Sequence, residues 1–240
     1  MAHYPFRRLQ SDLADLIASL PPESKLPSEP ALAHQLRVSR ATLREAMRSF
    51  EGQGLIRRRQ GVGTFVVGQV PVIDSGLELL ESIEKLAQRI GLAVSVGELQ
   101  IEELSAGEDC ATALGISVGL QLTRISRVIY TDSHPVAYLV DTLPGDVLSV
   151  DELHDNFSGS VLDLLLRRGT PSLAYSRTDI KAIGASPEVA RKLQVQRDDV
   201  LLYFVASLYT TSGRVVDYSF SYFLPGYFRF HVVRRVGNHS

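Results

Sequence analysis

Six arginines lie close together in the chain with a spacing that suits contact with a nucleic acid. Arg40, Arg44 and Arg48 follow one another at intervals of four residues, so a helix through them would present all three on one side. Three more arginines, at 57–59, come directly before the glycine-containing turn "QGVG". A guanidinium group is planar and can grip a guanine edge or a phosphate with two hydrogen bonds. The spacing therefore predicts a DNA contact made by one helix face and the turn that follows it.

The charge of the chain is distributed unevenly. The net charge is -2 over 240 residues, but residues 1–68 carry ten Lys/Arg and six Asp/Glu, so this segment has a charge of +4 and the remainder has -6. A basic first segment in an otherwise acidic chain indicates that only the N-terminal part binds a polyanion. No signal-peptide core and no run of about 18 apolar residues is present, so we expect a cytosolic protein.

Hydrophobic spacing places the arginines on a helix-turn-helix followed by a β-hairpin. Residues 6–19 and 28–35 predict two helices, and Ser39 is a suitable cap for a third helix that ends near Gly52. The third helix has an apolar stripe on a different side from its arginines, formed by Leu43, Ala46, Met47 and Phe50. The β-prone runs "LIRRR" and "TFVV" then flank "QGVG", which is a hairpin signal. In a helix-turn-helix the second helix of the motif enters the major groove with its N-terminal residues first.

The segment "KLPSEPALAHQLRVSRATLREAMRSFEGQGLIRRRQGVGTFV" (25–66) resembles the DNA-binding domain of the GntR family of bacterial transcription regulators. The resemblance implies a winged helix-turn-helix, a homodimer and a palindromic double-stranded operator. By position, the DNA contacts of the family fall on Ser39, Arg40, Thr42, Arg44, Gln60 and Gly61. The arginine pattern adds Arg48 and Arg58 to the candidate DNA-binding residues.

The remaining sequence predicts a separate α+β domain. Residues 69–76, "QVPVIDSG", indicate a linker between a first domain at 1–68 and a second at 77–240. A helix is expected next, because Leu79, Ile83, Leu86 and Ile90 recur at helical spacing. Five strand candidates follow, namely "LQLTRISRVIY", "PVAYLVDTL", "LAYSRTDIKAI", "VLLYFVASLYT" and "VVDYSFSYF". Helical stretches near 107–114, 159–168 and 186–194 interrupt them, and the order favours an antiparallel sheet over a doubly wound one.

From about Leu77 the chain is similar to UTRA, the effector-binding domain of the HutC subfamily of GntR regulators. The similarity lies in "GLELLESIEKLAQRIG", "RVIYTDSHPVAYLVDTLP", "SGSVLDLLLRRG" and "SPEVARKLQV". It implies a fold related to chorismate lyase that binds a small metabolite and forms a dimer. The expected protein is therefore a winged helix-turn-helix domain joined to a chorismate lyase-like antiparallel-sheet domain.

One arginine of this second domain is predicted to lie among apolar neighbours. On an extended strand Arg127 shares a face with Ile125 and Ile129, and a buried arginine needs either an internal carboxylate or a bound anion as partner. The residues alone leave both partners open. They also leave open whether the stripe Asp217, Ser219 and Ser221 faces solvent or lines a cavity.

The resemblance assigns residues to an effector site. Members that sense sugar phosphates use two arginines in R-x-R, a Ser-x-Tyr at a helix start and two glutamates. Arg127, Ser160 and Asp217 match part of this pattern, while Leu139 stands in for one glutamate. Phe223 completes the candidate effector-binding set. Because the second arginine and the tyrosine are replaced by apolar residues, we expect an effector with an anionic or polar end and an apolar body; a pocket filled by its own side chains is the alternative.

The sequence thus predicts a dimeric repressor controlled by a small molecule and not an enzyme. We expect no cofactor and no metal site, because the six histidines lack ligand spacing and the single cysteine, Cys110, lies in a predicted helix. We also expect no membrane partner, because no long apolar run is present. The sequence leaves two other functions open. One is an enzyme of chorismate-lyase type with a DNA-binding arm, and the other is a DNA-binding protein whose second domain only dimerises.

Overall fold

The computed structural model describes residues 3–52, 54–59, 61–67, 72–131, 134–157 and 159–234. The chain divides into two units. The first comprises Met1–Val72 with Leu224–Tyr227, and the second comprises Ile73–Phe223 with Phe228–Ser240.

Three helices and a two-stranded hairpin form the first unit. The elements are α1 (His3–Ser19), α2 (Glu29–Gln35), α3 (Arg40–Gly52), β1 (Ile56–Arg59) and β2 (Gly63–Val66). Ser28 begins α2, since its side chain accepts a hydrogen bond from the backbone N–H of Ala31. Leu13, Leu32 and Leu43 are completely buried where the three helices meet. The predicted helix-turn-helix and hairpin are both present.

The turn between β1 and β2 depends on glycine. Gly61 and Gly63 have φ values of 75° and 140°, in the left-handed region that side-chain-bearing residues avoid. A Cβ atom on Gly63 would also collide with the side chain of Lys25. The "QGVG" sequence therefore fixes the shape of the hairpin tip.

A six-stranded antiparallel sheet dominates the second unit. Its strands lie in the order β4 (Val94–Ser105), β5 (Gln121–Thr131), β6 (His134–Pro144), β9 (Val215–Phe223), β8 (Val200–Thr210) and β7 (Leu173–Gly184). Its helices are α4 (Ile83–Arg89), α5 (Glu108–Leu114), α6 (Val150–Asn156), α7 (Val161–Arg168) and α8 (Pro187–Leu193). The five strand candidates of the sequence are five strands of this sheet.

Helices α6 and α7 cover one face of the sheet. Ile125, Leu143 and Leu208 of the sheet pack with Leu153 of α6 and Leu165 of α7, and all five side chains are buried. Strand register sets which other residues share this face. Ile125 pairs with Asp141, and Arg127 pairs with Leu139 on the neighbouring strand. The register therefore brings Arg127 and Asp141 to the covered face.

The segment between the two predicted domains is more structured than the sequence indicates. Residues 73–76, expected as linker, form β3 (Ile73–Gly76), which pairs in parallel with β10 (Phe228–His231). Residues 69–71 of the same expected linker lie outside the described residues. The following helix begins at Ile83, later than the spacing predicts, because the Ser82 side chain caps it by accepting from the backbone N–H of Lys85.

Neither a membrane-spanning helix nor a metal-binding cluster occurs among the described residues. No helix among them is long and apolar enough to cross a membrane. The described residues also contain no group of three or more His, Cys, Asp and Glu side chains arranged to hold a metal ion.

Candidate functional sites

Helix α3 has one buried side and one exposed side. Leu43, Ala46 and Met47 are buried at 1% exposure or less, whereas Arg40, Arg44 and Arg48 are exposed. This is the separation of faces that the apolar stripe predicts. The helix thus places a row of three guanidinium groups on the surface of the first unit.

Two hydroxyl side chains shape the start of α3. The Ser39 Oγ accepts a hydrogen bond from the backbone N–H of Thr42 at 3.1 Å, and the Ser39 and Thr42 hydroxyls lie 2.8 Å apart. Ser39 is exposed and Thr42 is half-buried. Both hydroxyls therefore sit beside Arg40 at the end of the helix that leads into a groove in helix-turn-helix proteins.

One carboxylate joins the helix to the hairpin. The Arg44 Nε–H donates to Glu29 Oε2 at 2.6 Å, and Arg58 Nη2 lies 3.5 Å from Glu29 Oε1. The Arg44 side chain keeps 53% of its surface exposed, whereas those of Arg58 and Glu29 keep only 21% and 18%. Arg44 is accordingly presented outward, and Arg58 is held closer to the protein.

The hairpin, which we call the wing, carries its own ion pairs. Arg57 Nη2 and Arg59 Nη2 lie 3.3 and 3.4 Å from Glu23 Oε2, and the Arg59 guanidinium sits 4.9 Å from the centre of the Phe65 ring. Lys25 pairs with Phe65 through an isolated β-bridge and lies beside the tip. Lys25 is a cation of the wing that the sequence did not single out, because its place depends on a pairing forty residues away.

The predicted DNA-binding residues that the structure describes all lie on the first unit. The exposed members are Ser39 just before α3, Arg40, Arg44 and Arg48 of α3, and Gly61 at the wing tip. Thr42 is half-buried, Arg58 is half-buried against Glu29, and Gln60 lies outside the described residues. The face also includes carboxylates, Glu29 and Glu23, that the sequence reasoning did not place there.

Arg127 is buried and has an internal partner. Its Nη1 donates to Asp141 Oδ2, and the two side chains are 6% and 13% exposed. The Phe157 ring centre lies 5.8 Å from the Arg127 guanidinium carbon. Of the two partners that the sequence left open, the structure contains the carboxylate. The Arg127 Nε is buried and has no hydrogen-bond partner among the described residues.

Asp217 lies next to this ion pair. Its Oδ1 accepts from the backbone N–H of Thr142 at 3.2 Å, and its carboxyl group shares a hydrogen bond with Asp141. Burial first, and then the negative charge of Asp141, raise the pKa of Asp217 well above its ordinary value. Two carboxyl groups in hydrogen-bond contact require a proton between them, and this shift places it on Asp217.

A third carboxyl group, from α4, belongs to the same cluster. Burial raises the pKa of Glu84, an effect that the charge of Arg127 partly offsets. The Glu84 Oε1 is buried without a hydrogen-bond partner among the described residues. Asp141 and Glu84 were both missed at the sequence level, since neither strand register nor the position of α4 can be read from the letters.

Ser160 uses its side chain to begin a helix. It is buried, and its Oγ accepts from the backbone N–H of Asp163 in the first turn of α7 at 3.1 Å. Asp163 in turn accepts from the Ser82 hydroxyl at 2.6 Å and pairs with Lys85 at 2.7 Å. Ser160 therefore contributes to the junction of α7 with α4.

The two apolar candidates lie at different places. Leu139 is buried and pairs with Arg127 across the sheet, so it belongs beside the polar cluster. Phe223 is buried at the end of β9, where its ring packs at 5.1 Å from Phe204 and 4.8 Å from Phe228. The ring contacts of Phe223 thus belong to an aromatic core.

A cleft opens on the surface of helices α6 and α7. It has a volume of about 370 Å³ and is lined by Leu148, Glu152, Leu164, Arg167 and Arg168. Arg168 donates to the backbone oxygen of Val147 at 2.8 Å and lies 3.2 Å from Glu152. The sequence reasoning did not single out these residues.

Models of two protein families match the chain. The model described as "Bacterial regulatory proteins, gntR family" matches residues 7–66, and the model described as "UTRA domain" matches residues 89–229. The first match covers the helices and wing of the first unit. The second covers the six-stranded sheet with Arg127, Asp141 and Asp217, but not Glu84.

Curated proteins and solved structures match over most of the chain. The HTH-type transcriptional repressor NagR of Bacillus subtilis is 25% identical over 83% of this chain and 81% of its own length. The histidine utilization repressor of Pseudomonas aeruginosa is 30% identical over 81% of this chain and 76% of its own. The crystal structure of PhnF from Mycobacterium smegmatis has a TM-score of 0.65 and 22% identity, and the match covers 95% of this chain and 100% of that one.

Proposed function

The chain belongs to the GntR family of bacterial regulatory proteins and carries a UTRA domain, and from this premise we propose that it is a cytoplasmic repressor that a small molecule releases from DNA. It is a DNA-binding transcriptional regulator and not an enzyme. The predicted family, fold class and class of function are confirmed. The proposal adds a homodimer, a palindromic operator and an effector in the second unit.

The exposed arginine row of α3 carries the DNA-binding part of the proposal. Arg40, Arg44 and Arg48 face outward next to a wing whose glycine tip leaves backbone accessible. We propose that the start of α3 enters the major groove and that the wing lies on the adjacent backbone. Selection of bound duplexes from a random pool tests this. We expect two inverted half-sites, and a pool without enrichment would overturn the proposal.

A row of aromatic rings supports the proposed homodimer. Tyr138, Tyr222, Tyr203, Phe220 and Tyr218 stand side by side on β6, β9 and β8, with ring centres 4.8 to 6.2 Å apart. We call this surface the aromatic face. Four of its rings are half-buried, and aromatic side chains are enriched at protein interfaces. We propose that a second copy of the chain covers it, since a palindromic operator requires two-fold symmetry.

The buried polar cluster supports an effector site. The Arg127 Nε and the Glu84 Oε1 are both buried and have no hydrogen-bond partner among the described residues. Buried polar atoms without partners are unusual in native proteins, and a ligand would satisfy them. We propose an effector whose anionic or polar end binds at Arg127 and whose apolar body lies against Leu139.

The proposed mechanism is a shift between two arrangements of the dimer. An effector that binds one arrangement more tightly displaces the population toward it, and the two α3 helices then no longer fit successive half-sites. A thermal-shift screen of metabolite fractions, read together with operator binding, tests the proposal. We expect one fraction to raise the melting temperature and lower operator affinity. If no fraction does either, the second domain only dimerises.

A further inference from the structure

Glu29 occupies an unexpected place for a carboxylate, between two arginines of a DNA-binding face. We propose that Glu29 is a positioning residue that orients Arg44 for base readout and ties the wing to α3. This inference rests on the proposed DNA face. No family match or relative assigns a role to this side chain.

The hydrogen bond to Glu29 selects how Arg44 can present its donors. A guanidinium has five N–H donors in one plane, and Glu29 takes the one on Nε at 2.6 Å. The two terminal amino groups of Arg44 make no hydrogen bond or ion pair to another described residue. Two adjacent donors held in a fixed plane match the O6 and N7 acceptors of guanine. Glu29 therefore fixes the plane of the fork without using the donors that read a base.

The same carboxylate reaches the wing. Its second oxygen lies 3.5 Å from Arg58 Nη2, and the backbone N–H of Arg58 donates to Glu51 Oε1 at 3.2 Å. Arg58 belongs to β1, Arg44 to α3 and Glu29 to α2. One side chain thus connects three elements of the first unit, and its withdrawal would loosen the wing relative to α3 as well as free Arg44.

Glu23 provides a matched comparison within the chain. It also pairs with two arginines, but Arg57 and Arg59 both lie on β1, and the Glu23 side chain is 54% exposed. A carboxylate that contacts one strand cannot orient α3. Loss of Glu23 removes a negative charge from the same face and leaves Arg44 in place.

A carboxylate without this positioning role should only weaken the affinity for DNA. A negative charge on a DNA-binding face repels phosphates, so its removal alone would strengthen binding to every duplex. Specificity is a difference of affinities, and a group that lowers overall affinity can still increase that difference. The ratio of operator to non-operator affinity therefore separates positioning from plain charge.

The experiment measures this ratio for Glu29→Ala, Glu23→Ala, Arg44→Ala and the double variant Glu29→Ala/Arg44→Ala. Alanine is used because glutamine would keep an oxygen that can accept from the Arg44 Nε–H. The probes are the duplex selected from the random pool and a scrambled duplex of equal length, at one fixed salt concentration. We expect Glu29→Ala to lower the ratio about 10-fold or more, since that is the discrimination of one bidentate contact. Glu23→Ala should leave the ratio unchanged, and Glu29→Ala should have no further effect on the ratio once Arg44 is absent.

Three results are decisive. A Glu29→Ala protein that binds both duplexes more tightly with an unchanged ratio overturns the positioning role. A lowered melting temperature with an unchanged ratio overturns it as well, because Glu29 then serves the fold alone. A failure of the proposed DNA-binding face gives a different result: Arg40→Ala and Arg44→Ala would then leave operator binding unchanged, whatever Glu29→Ala does.

Discussion

Replacement of Asp217 by asparagine should reduce the pH dependence of the stability of the second unit. Burial and the charge of Asp141 raise the pKa of Asp217 in the folded state, whereas an aspartate in an unfolded chain has a pKa of about 3.9. A raised pKa means that the native state binds a proton that the unfolded state has released. The stabilisation that this proton gives to the folded protein is complete below the pKa of Asp217 in the unfolded state. It is lost as the pH rises through the pKa of Asp217 in the folded state.

The magnitude follows from the difference of one proton. The free energy of unfolding falls by about 1.4 kcal/mol per pH unit while Asp217 is protonated in the native state and ionised in the unfolded one. Over two pH units this amounts to about 2.7 kcal/mol. Asparagine keeps the oxygen that accepts from the Thr142 N–H at 3.2 Å and supplies an N–H toward Asp141. The variant thus preserves the hydrogen bonds and removes the titration, so it should be the more stable protein at pH 8.

Urea denaturation between pH 5 and pH 8, followed by tyrosine fluorescence, measures this effect. Seven of the nine tyrosines belong to the second unit, so the signal reports its unfolding. The charged groups that act on Asp217, Asp141 and Arg127, are present in both proteins of the comparison. Asp151→Asn, at an exposed position of α6, is the control. Equal losses of stability in the wild type and in Asp217→Asn would refute the assignment of the proton.

Three further predictions concern DNA binding and assembly. Arg44→Ala should weaken operator binding by about 1 to 3 kcal/mol in a gel-shift titration, while Arg89→Ala, in the second unit, should not; equal affinities would contradict the recognition-helix assignment. Operator affinity measured by fluorescence anisotropy should fall steeply with salt, and Arg48→Ala should reduce the slope by about one, whereas a flat salt response would be incompatible with phosphate contacts. Phe220→Asp should convert the proposed dimer to a monomer in sedimentation velocity, and Val118→Asp should not. A dimeric Phe220→Asp protein with an unchanged melting temperature would exclude the aromatic face as the dimer interface.

Local sequence signals were sufficient to predict the fold of the DNA-binding unit. Ser39 sets the start of α3, Leu43 and Met47 form its buried side, and Gly61 and Gly63 shape the wing tip. Each of these features depends on a few neighbouring residues, so spacing and residue type predict it. The five strands that alternate Val, Ile, Tyr and Phe were recognisable for the same reason.

Features that depend on distant pairing were not recognisable. Strand β4 was not predicted, because charged and polar residues occupy much of its length and no alternation of buried residues marks it. A carboxylate was one of the two partners that the sequence left open for Arg127. It could not be identified as Asp141, because only the register of β5 against β6 brings these two residues together. Glu29 and Arg44 are fifteen residues apart, and no period of a helix or strand connects them.

The arrangement of charges in the first unit bears on how strongly it can bind DNA without specificity. Four of its arginines share two carboxylates, Glu23 and Glu29, whereas Arg40 and Arg48 form no ion pair with another described residue. A paired guanidinium releases fewer counterions on meeting a phosphate, since part of its charge is already compensated. The salt slope should therefore be smaller than the number of arginines suggests, and a larger share of the affinity should come from oriented contacts. Such a balance suits the release from the operator that we propose, because a weak general attraction to DNA makes binding depend on the fit of α3 to the operator.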